Sequence, residues 1–234
     1  MALVKFGAGI VGMSGSIAGT VFARNHYGSY ARSRTKPTNP NTASQQAARG
    51  ILSFLADRWA QELTADQRTA WNLYGSSVAM TNRLGETTYM TGFNHYIRSN
   101  SLIKRVYPST LLVDDGPVIF ELPTTDPTLS VTASEATQKL TIDFDDTMDW
   151  ANEDPGWMWF FQGSPQNAQR NFFGGPWKKL GSVVGIEGGG VVHPQVLDAV
   201  FPIAEGQRQW IYARITRKDG RLSTPFRANC FVAA

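Results

Sequence analysis

The chain has almost none of the residues that anchor covalent or metal chemistry. Its 234 residues include a single cysteine, Cys230, and three widely separated histidines, His26, His95 and His193. One thiol excludes an intrachain disulfide and a cysteine-based zinc cage. None of the histidines has a His or Cys neighbour at metal-ligand spacing. Cys230 lies in the apolar run ANCFVAA and reads as a small buried hydrophobe. Long apolar runs are also missing: no stretch approaches the roughly 18 residues that cross a bilayer. After Lys5 come glycines and a serine where a secretory signal would be leucine-rich. Neither conventional secretion nor membrane embedding is expected.

Acid is absent from the first 56 residues, the first carboxylate being Asp57. Residues 1–56 carry Lys5, Arg24, Arg32, Arg34, Lys36 and Arg49, a net charge of +6. Residues 57–117 balance six bases against six acids, and residues 118–234 hold ten bases and thirteen acids, a net −3. A basic arm on a neutral and then acidic body suits contact with nucleic acid or with acidic surfaces of neighbouring subunits.

The same absence decides the glycine run GAGIVG at residues 7–12, which follows the apolar ALVKF and has the outline of a dinucleotide-binding fingerprint. That motif needs a helix after the glycines and an acidic residue about 20 positions on to hold the ribose. Gly15 and Gly19 interrupt any helix, Thr20, Val21 and Phe22 favour extended chain, and Arg32 and Arg34 occupy the place of the acid. The glycines fit an arm that lies close against another backbone, and no cofactor is expected.

What is present is apolar and aromatic: 42% hydrophobic residues, with seven Trp and thirteen Phe, enough for a substantial core. The patterning predicts an α+β protein with an extended basic N-terminal arm bearing a hairpin (1–40), a three-helix module (41–117) and a C-terminal antiparallel β-sandwich (118–234). In the arm, TVFARN and SYARSRT form the limbs of a hairpin around HYG, with Gly28 supplying positive φ. Alternation places Tyr30, Arg32 and Arg34 on one face. Such a short hairpin is marginal alone and needs a partner surface.

Pro37 and Pro40 then punctuate the chain. Asn41 or Thr42 caps a helix running to about Leu63, with Ala47, Ile51, Phe54, Leu55, Trp59 and Leu63 at helical spacing. Thr64 and Gln67 fit a capping box for a second helix. A polar break follows, centred on Gly85, and a third helix runs from about Thr91 to Val106, stopped by Pro108. Beyond residue 117 the period becomes two. LSVTAS, KLTIDF, WMWFFQ, KLGSVV, QWIYARITR and FRANCFVAA are strand candidates, with Asp219-Gly220 a hairpin signal between the last two.

Two segments could carry chemistry. DFDDTMDWANED offers Asp143, Asp145, Asp146, Asp149, Glu153 and Asp154, but Met148 stands where a twelve-residue calcium loop requires glycine. A solvated connection is the simpler reading, and a carboxylate pair for glycoside hydrolysis the alternative. In the arm, Arg24, Tyr27, Tyr30, Arg32, Arg34 and Lys36 interleave bases with rings. They suit docking on an adjacent subunit, with arginines meeting acids and tyrosines burying. Phosphate contact with base stacking is the second use.

Residues 118–234 resemble a fibronectin type III or immunoglobulin-like sandwich. The strand bearing Tyr212 and its Asp219-Gly220 hairpin carry the likeness, with Trp157 or Trp159 as the core tryptophan. The resemblance implies a binding or spacer module; residues 163–205 depart from a minimal sandwich. The first hundred residues are similar to structural proteins of tailed bacteriophages and related prophages, through SGSIAGTVFARNHYGSYARSRTKPTNPNTASQQAAR, LTADQRTAWN and TGFNHYIRSN. This implies a virion component made in the bacterial cytoplasm, non-enzymatic, of minor capsid, cement or connector type. It would assemble as a homo-oligomer with copies of itself and other virion proteins. A nucleic-acid-binding protein, and a carbohydrate-active enzyme or carbohydrate-binding module, are the alternatives.

Overall fold

The computed structural model describes residues 2–25, 28–82, 84–107 and 112–234. The expectations placed on Tyr27 and Pro108 fall outside these residues. Within them the protein is a mixed α+β chain with three helices and three sheets.

The arm is a four-stranded antiparallel sheet in place of the expected two-stranded hairpin. β1 (Ala2–Leu3), β2 (Gly15–Ile17), β3 (Thr20–Asn25) and β4 (Gly28–Ser33) lie in the order β1-β4-β3-β2. Gly28 has φ +117°, as the turn demands. The added strands satisfy both edges of a hairpin that would be marginal alone.

The first helix, α1 (Ala43–Gln61), is capped by Thr42 through a reciprocal box with Gln45. The second, α2 (Ala65–Ser77), begins with the same device, Thr64 paired with Gln67. Strands β5 (Ala79–Thr81) and β6 (Thr87–Tyr89) form a small hairpin across the polar break, where Gly85 turns at φ +78°. Thr91 caps α3 (Gly92–Val106). The helices share a core of Leu55, Leu63, Trp71, Tyr74, Val78 and Tyr96. Only the C-terminal half of α1 takes part: residues 43–50 are exposed except for Gln45, which is half-buried. Asp114 fastens the following segment into the crook of the helices. Its carboxylate takes two hydrogen bonds from Arg58, at 3.0 and 2.6 Å, and its carbonyl takes one from the Trp71 indole.

The remaining strands are β7 (Ser130–Ser134), β8 (Lys139–Asp143), β9 (Trp157–Gly163), β10 (Trp177–Val184), β11 (Gln195–Asp198), β12 (Arg208–Thr216) and β13 (Phe226–Ala233). They form one sheet in the order β10-β9-β12-β13-β7-β8-β11. The six expected strands are present, and β11 is an addition within residues 163–205. The sheet is not antiparallel throughout, because β13 pairs with β7 in parallel, Val232 opposite Ala133. Hairpin-linked neighbours must run antiparallel, but β7 and β13 are separated by the whole intervening chain and escape that constraint. The sheet curls until its ends meet: a Cβ on Gly181 of β10 would lie 2.7 Å from Leu197 Cδ1 on β11. Inside the curl, one core draws Leu140 and Ile142 from β8, Met158 and Phe160 from β9, and Ile211, Ala213 and Ile215 from β12.

The register corrects the expected core tryptophan. Trp157 and Trp159 alternate with Met158 and Phe160 and so face outward, where they pack with Ile103 of α3. The tryptophan inside the curl is Trp150, 1% exposed, on a short 3-10 turn at Asp149–Asn152. Strand β9 is consequently buried along its entire length. Helix α3 and the sheet therefore share an interface.

Candidate functional site

The arm holds the sequence-designated residues, and its register separates them. Tyr30 and Arg32 alternate on β4 and share a face with Ala23 and Val21, their partners on β3. Arg24 is opposite Ser29 and so lies on the other face, with Phe22. Arg34 and Lys36 continue past the strand end. Arg24, Arg32, Arg34 and Lys36 are exposed and Tyr30 is half-buried. Among the described residues, none of these four cations has an acidic partner. One ion pair links the arm to the body among the described residues, Lys5 to Glu86 at 2.8 Å, both ends exposed. The pair raises the Lys5 pKa and lowers that of Glu86, chiefly through their hydrogen bond. Such a contact adds little to stability.

The glycine run, expected to lie close against another backbone, contributes a second feature. Residues 7–19, the connection from β1 together with β2 and its turn, are exposed except for the half-buried Met13, and Ile10, Val11 and Ile17 are each more than half exposed. A Cβ at Gly7, Gly9 or Gly12 would meet nothing within 4 Å. Packing among the described residues does not explain these glycines.

The acidic loop is largely committed to internal partners. Arg217 of the β12–β13 hairpin grips Glu153 through Nε at 2.8 Å and Nη2 at 2.5 Å, and reaches Asp149 at 3.1 Å. Glu153 is thereby held below the usual carboxylate range against the opposing effect of burial, the largest single influence on it. Asp145 caps its own turn through Thr147, which lowers its pKa. His193 sits between Asp143, at 3.3 Å, and Asp146, at 3.2 Å. Among the described residues no group of three or more His, Cys, Asp or Glu side chains is placed to hold a metal ion. Cys230 is half-buried against the sheet core, and burial lifts its thiol to about 11. No helix is long and apolar enough to cross a membrane among the described residues.

No family of known sequences matches the chain, and no curated protein matches it. Among solved structures, it is similar to an Fn3-like protein from Clostridium thermocellum, at 12% identity and a TM-score of 0.30, covering 48% of this chain and 95% of that one. A family 76 glycoside hydrolase from a bovine Bacteroides thetaiotaomicron strain matches at 15% identity and a TM-score of 0.29, covering 47% of this chain and 20% of the hydrolase. Likenesses this loose decide neither the fold nor the activity.

Proposed function

We propose that the chain is a non-enzymatic structural subunit of a tailed-phage particle, of minor capsid, cement or connector type. Its arm and helices dock on neighbouring copies and on other virion proteins, and its seven-stranded sheet is a fibronectin type III or immunoglobulin-like sandwich serving as spacer. The observation that carries the docking reading is the arm itself: a sheet with Arg24, Arg32, Arg34 and Lys36 exposed and without an acidic partner among the described residues, and with Ile10, Val11 and Ile17 uncovered. Exposed apolar side chains beside unpaired cations are the composition of an interface awaiting its partner. The net −3 carried by residues 118–234 supplies a complementary surface on a second copy. The N-terminal turns of α1 are exposed as well. The sandwich reading is supported by the strand order, four strands in β10-β9-β12-β13 and three in β7-β8-β11 enclosing one core.

Replacing Arg24, Arg32 and Arg34 with Glu in the full chain is expected to abolish incorporation into particles while leaving the fold intact by circular dichroism. Normal incorporation of that variant would contradict the proposal. A second reading rests on Tyr30 beside Arg32 on one sheet face, which suits a stacked base and its phosphate. It requires single-stranded DNA or RNA binding whose logarithm falls steeply with the logarithm of salt concentration. Absence of binding at low salt removes that reading.

A further inference from the structure

We infer that the outer face of β12 and β13, together with the adjoining β9–β10 connection, is a binding surface for single-stranded nucleic acid, separate from the arm. Strands β9, β10, β12 and β13 carry Lys178, Lys179, Arg208, Arg214 and Arg227 and not one acid, although residues 118–234 are net −3. The connection from β9 to β10 adds Arg170 and again no acid. On the outer face Arg208 stands opposite Phe231, Trp210 opposite Asn229 and Tyr212 opposite Arg227. Helix α3 packs on this face at Trp157 and Trp159. Elsewhere it is open: Phe172 is 67% and Phe231 60% exposed, and Arg170, Arg227 and Asn229 are exposed with them.

Rings and guanidinium groups interleave across this surface. Arg208 lies over Trp210 at 5.0 Å and over Phe231 at 5.5 Å, Arg227 over Trp177 at 5.5 Å and over Phe172 at 5.8 Å, and Arg170 over Phe173 at 5.8 Å. Neutral oxygens fix all three. Arg208 donates from Nη1 to the Arg170 carbonyl at 3.0 Å and from Nε to Asn229 Oδ1 at 2.9 Å. Arg227 donates from Nη1 to the Phe173 carbonyl at 3.1 Å, and Arg170 from Nε to the Phe172 carbonyl at 2.9 Å. Among the described residues none of the three has an acidic partner, and Nη2 of each meets no acceptor. Three guanidinium groups are thus held in place by bonds that leave their charge uncompensated and one nitrogen of each free to donate. The missing complement must bring negative charge for the guanidinium groups and flat apolar faces for the two exposed rings. Single-stranded nucleic acid brings both, with phosphates for the free nitrogens and unpaired bases that stack on the rings. An acidic peptide would answer the charge and leave Phe172 and Phe231 in water.

The test is fluorescence anisotropy of a labelled single-stranded oligothymidylate titrated with the full chain across a salt series. Wild type should bind saturably at low salt, with an affinity whose logarithm falls with the logarithm of salt concentration. Arg170→Gln combined with Arg227→Gln should lose about tenfold or more in affinity and flatten the salt slope by about 1. Phe172→Ala combined with Phe231→Ala should also lose about tenfold but at an unchanged salt slope, because stacking releases no counterions. All four side chains are exposed, so both pairs should keep the wild-type circular dichroism spectrum. Should a pair fail to fold, Phe231→Ala alone decides by the same readout. Arg32→Gln combined with Arg34→Gln, in the arm, should bind like wild type. No binding by wild type at low salt, wild-type binding in both sheet pairs, or loss confined to the arm pair would overturn the site. So would displacement of the oligonucleotide by polyglutamate as readily as by unlabelled oligothymidylate, which would point to an acidic protein instead.

Discussion

His95 links the stability of the helical module to acid. Its ring is 1% exposed and packs on Tyr74, and burial, assisted by the Arg98 charge, lowers its pKa from 6.5 to about 4. The unfolded chain takes up a proton below about pH 6.5, whereas the folded chain resists until about pH 4. This contribution is therefore fully present above pH 6.5 and is lost as pH falls toward 4, to a ceiling of about 3 kcal/mol. Carboxylates such as Glu153, held low by Arg217, weaken the fold in the same direction but further into acid. Denaturant midpoints of wild type and His95→Phe between pH 7 and 4 should separate the two, the variant showing the shallower decline. Gly220 is sensitive for a different reason. It turns at φ +85°, and a Cβ there would approach Trp71 and Val113 at 3.1 Å. Gly220→Ala combines left-handed strain with overpacking and should cost about 2 kcal/mol by chemical denaturation.

At the scale of elements, α3 has the most to lose. Ile103 is fully buried between the helical module and Trp157, Trp159 and Phe161 of β9. Ile103→Ala should destabilise by about 2 to 5 kcal/mol in urea unfolding. Truncating the Thr64 cap to Ala, which loosens α2 at its start, should cost only about 1 kcal/mol. The elements legible in the sequence were those whose signals are local. The Thr64–Gln67 box, the helical spacing of α1 and the Asp219-Gly220 turn require knowledge of only a few neighbouring residues. What stayed hidden depends on distant chain. Strands β1 and β2 are two and three residues long and exist only because β3 and β4 offer them edges. Strand β11, QVLD, has little propensity of its own and is ordered by β8. The inward face of WMWFFQ could not be read, since α3 buries the outward face equally well and erases the alternation. Of the candidate site, the charges of the arm were legible, but the placement of Arg24 and Arg32 on different faces of the sheet depends on register.

The whole molecule is polarised. A cationic sheet with uncovered apolar residues occupies one end of the sequence, tied to the body through the exposed Lys5–Glu86 pair, and the acids are concentrated in the C-terminal half. Such a molecule is expected to associate head to tail with its own copies, more strongly where salt does not screen the attraction. Sedimentation velocity of the purified full chain across protein concentration and salt examines this most directly. The account predicts oligomers at low salt that dissociate as salt is raised, and their loss in the Arg24, Arg32 and Arg34 to Glu variant. A monomer at every concentration and salt would contradict it.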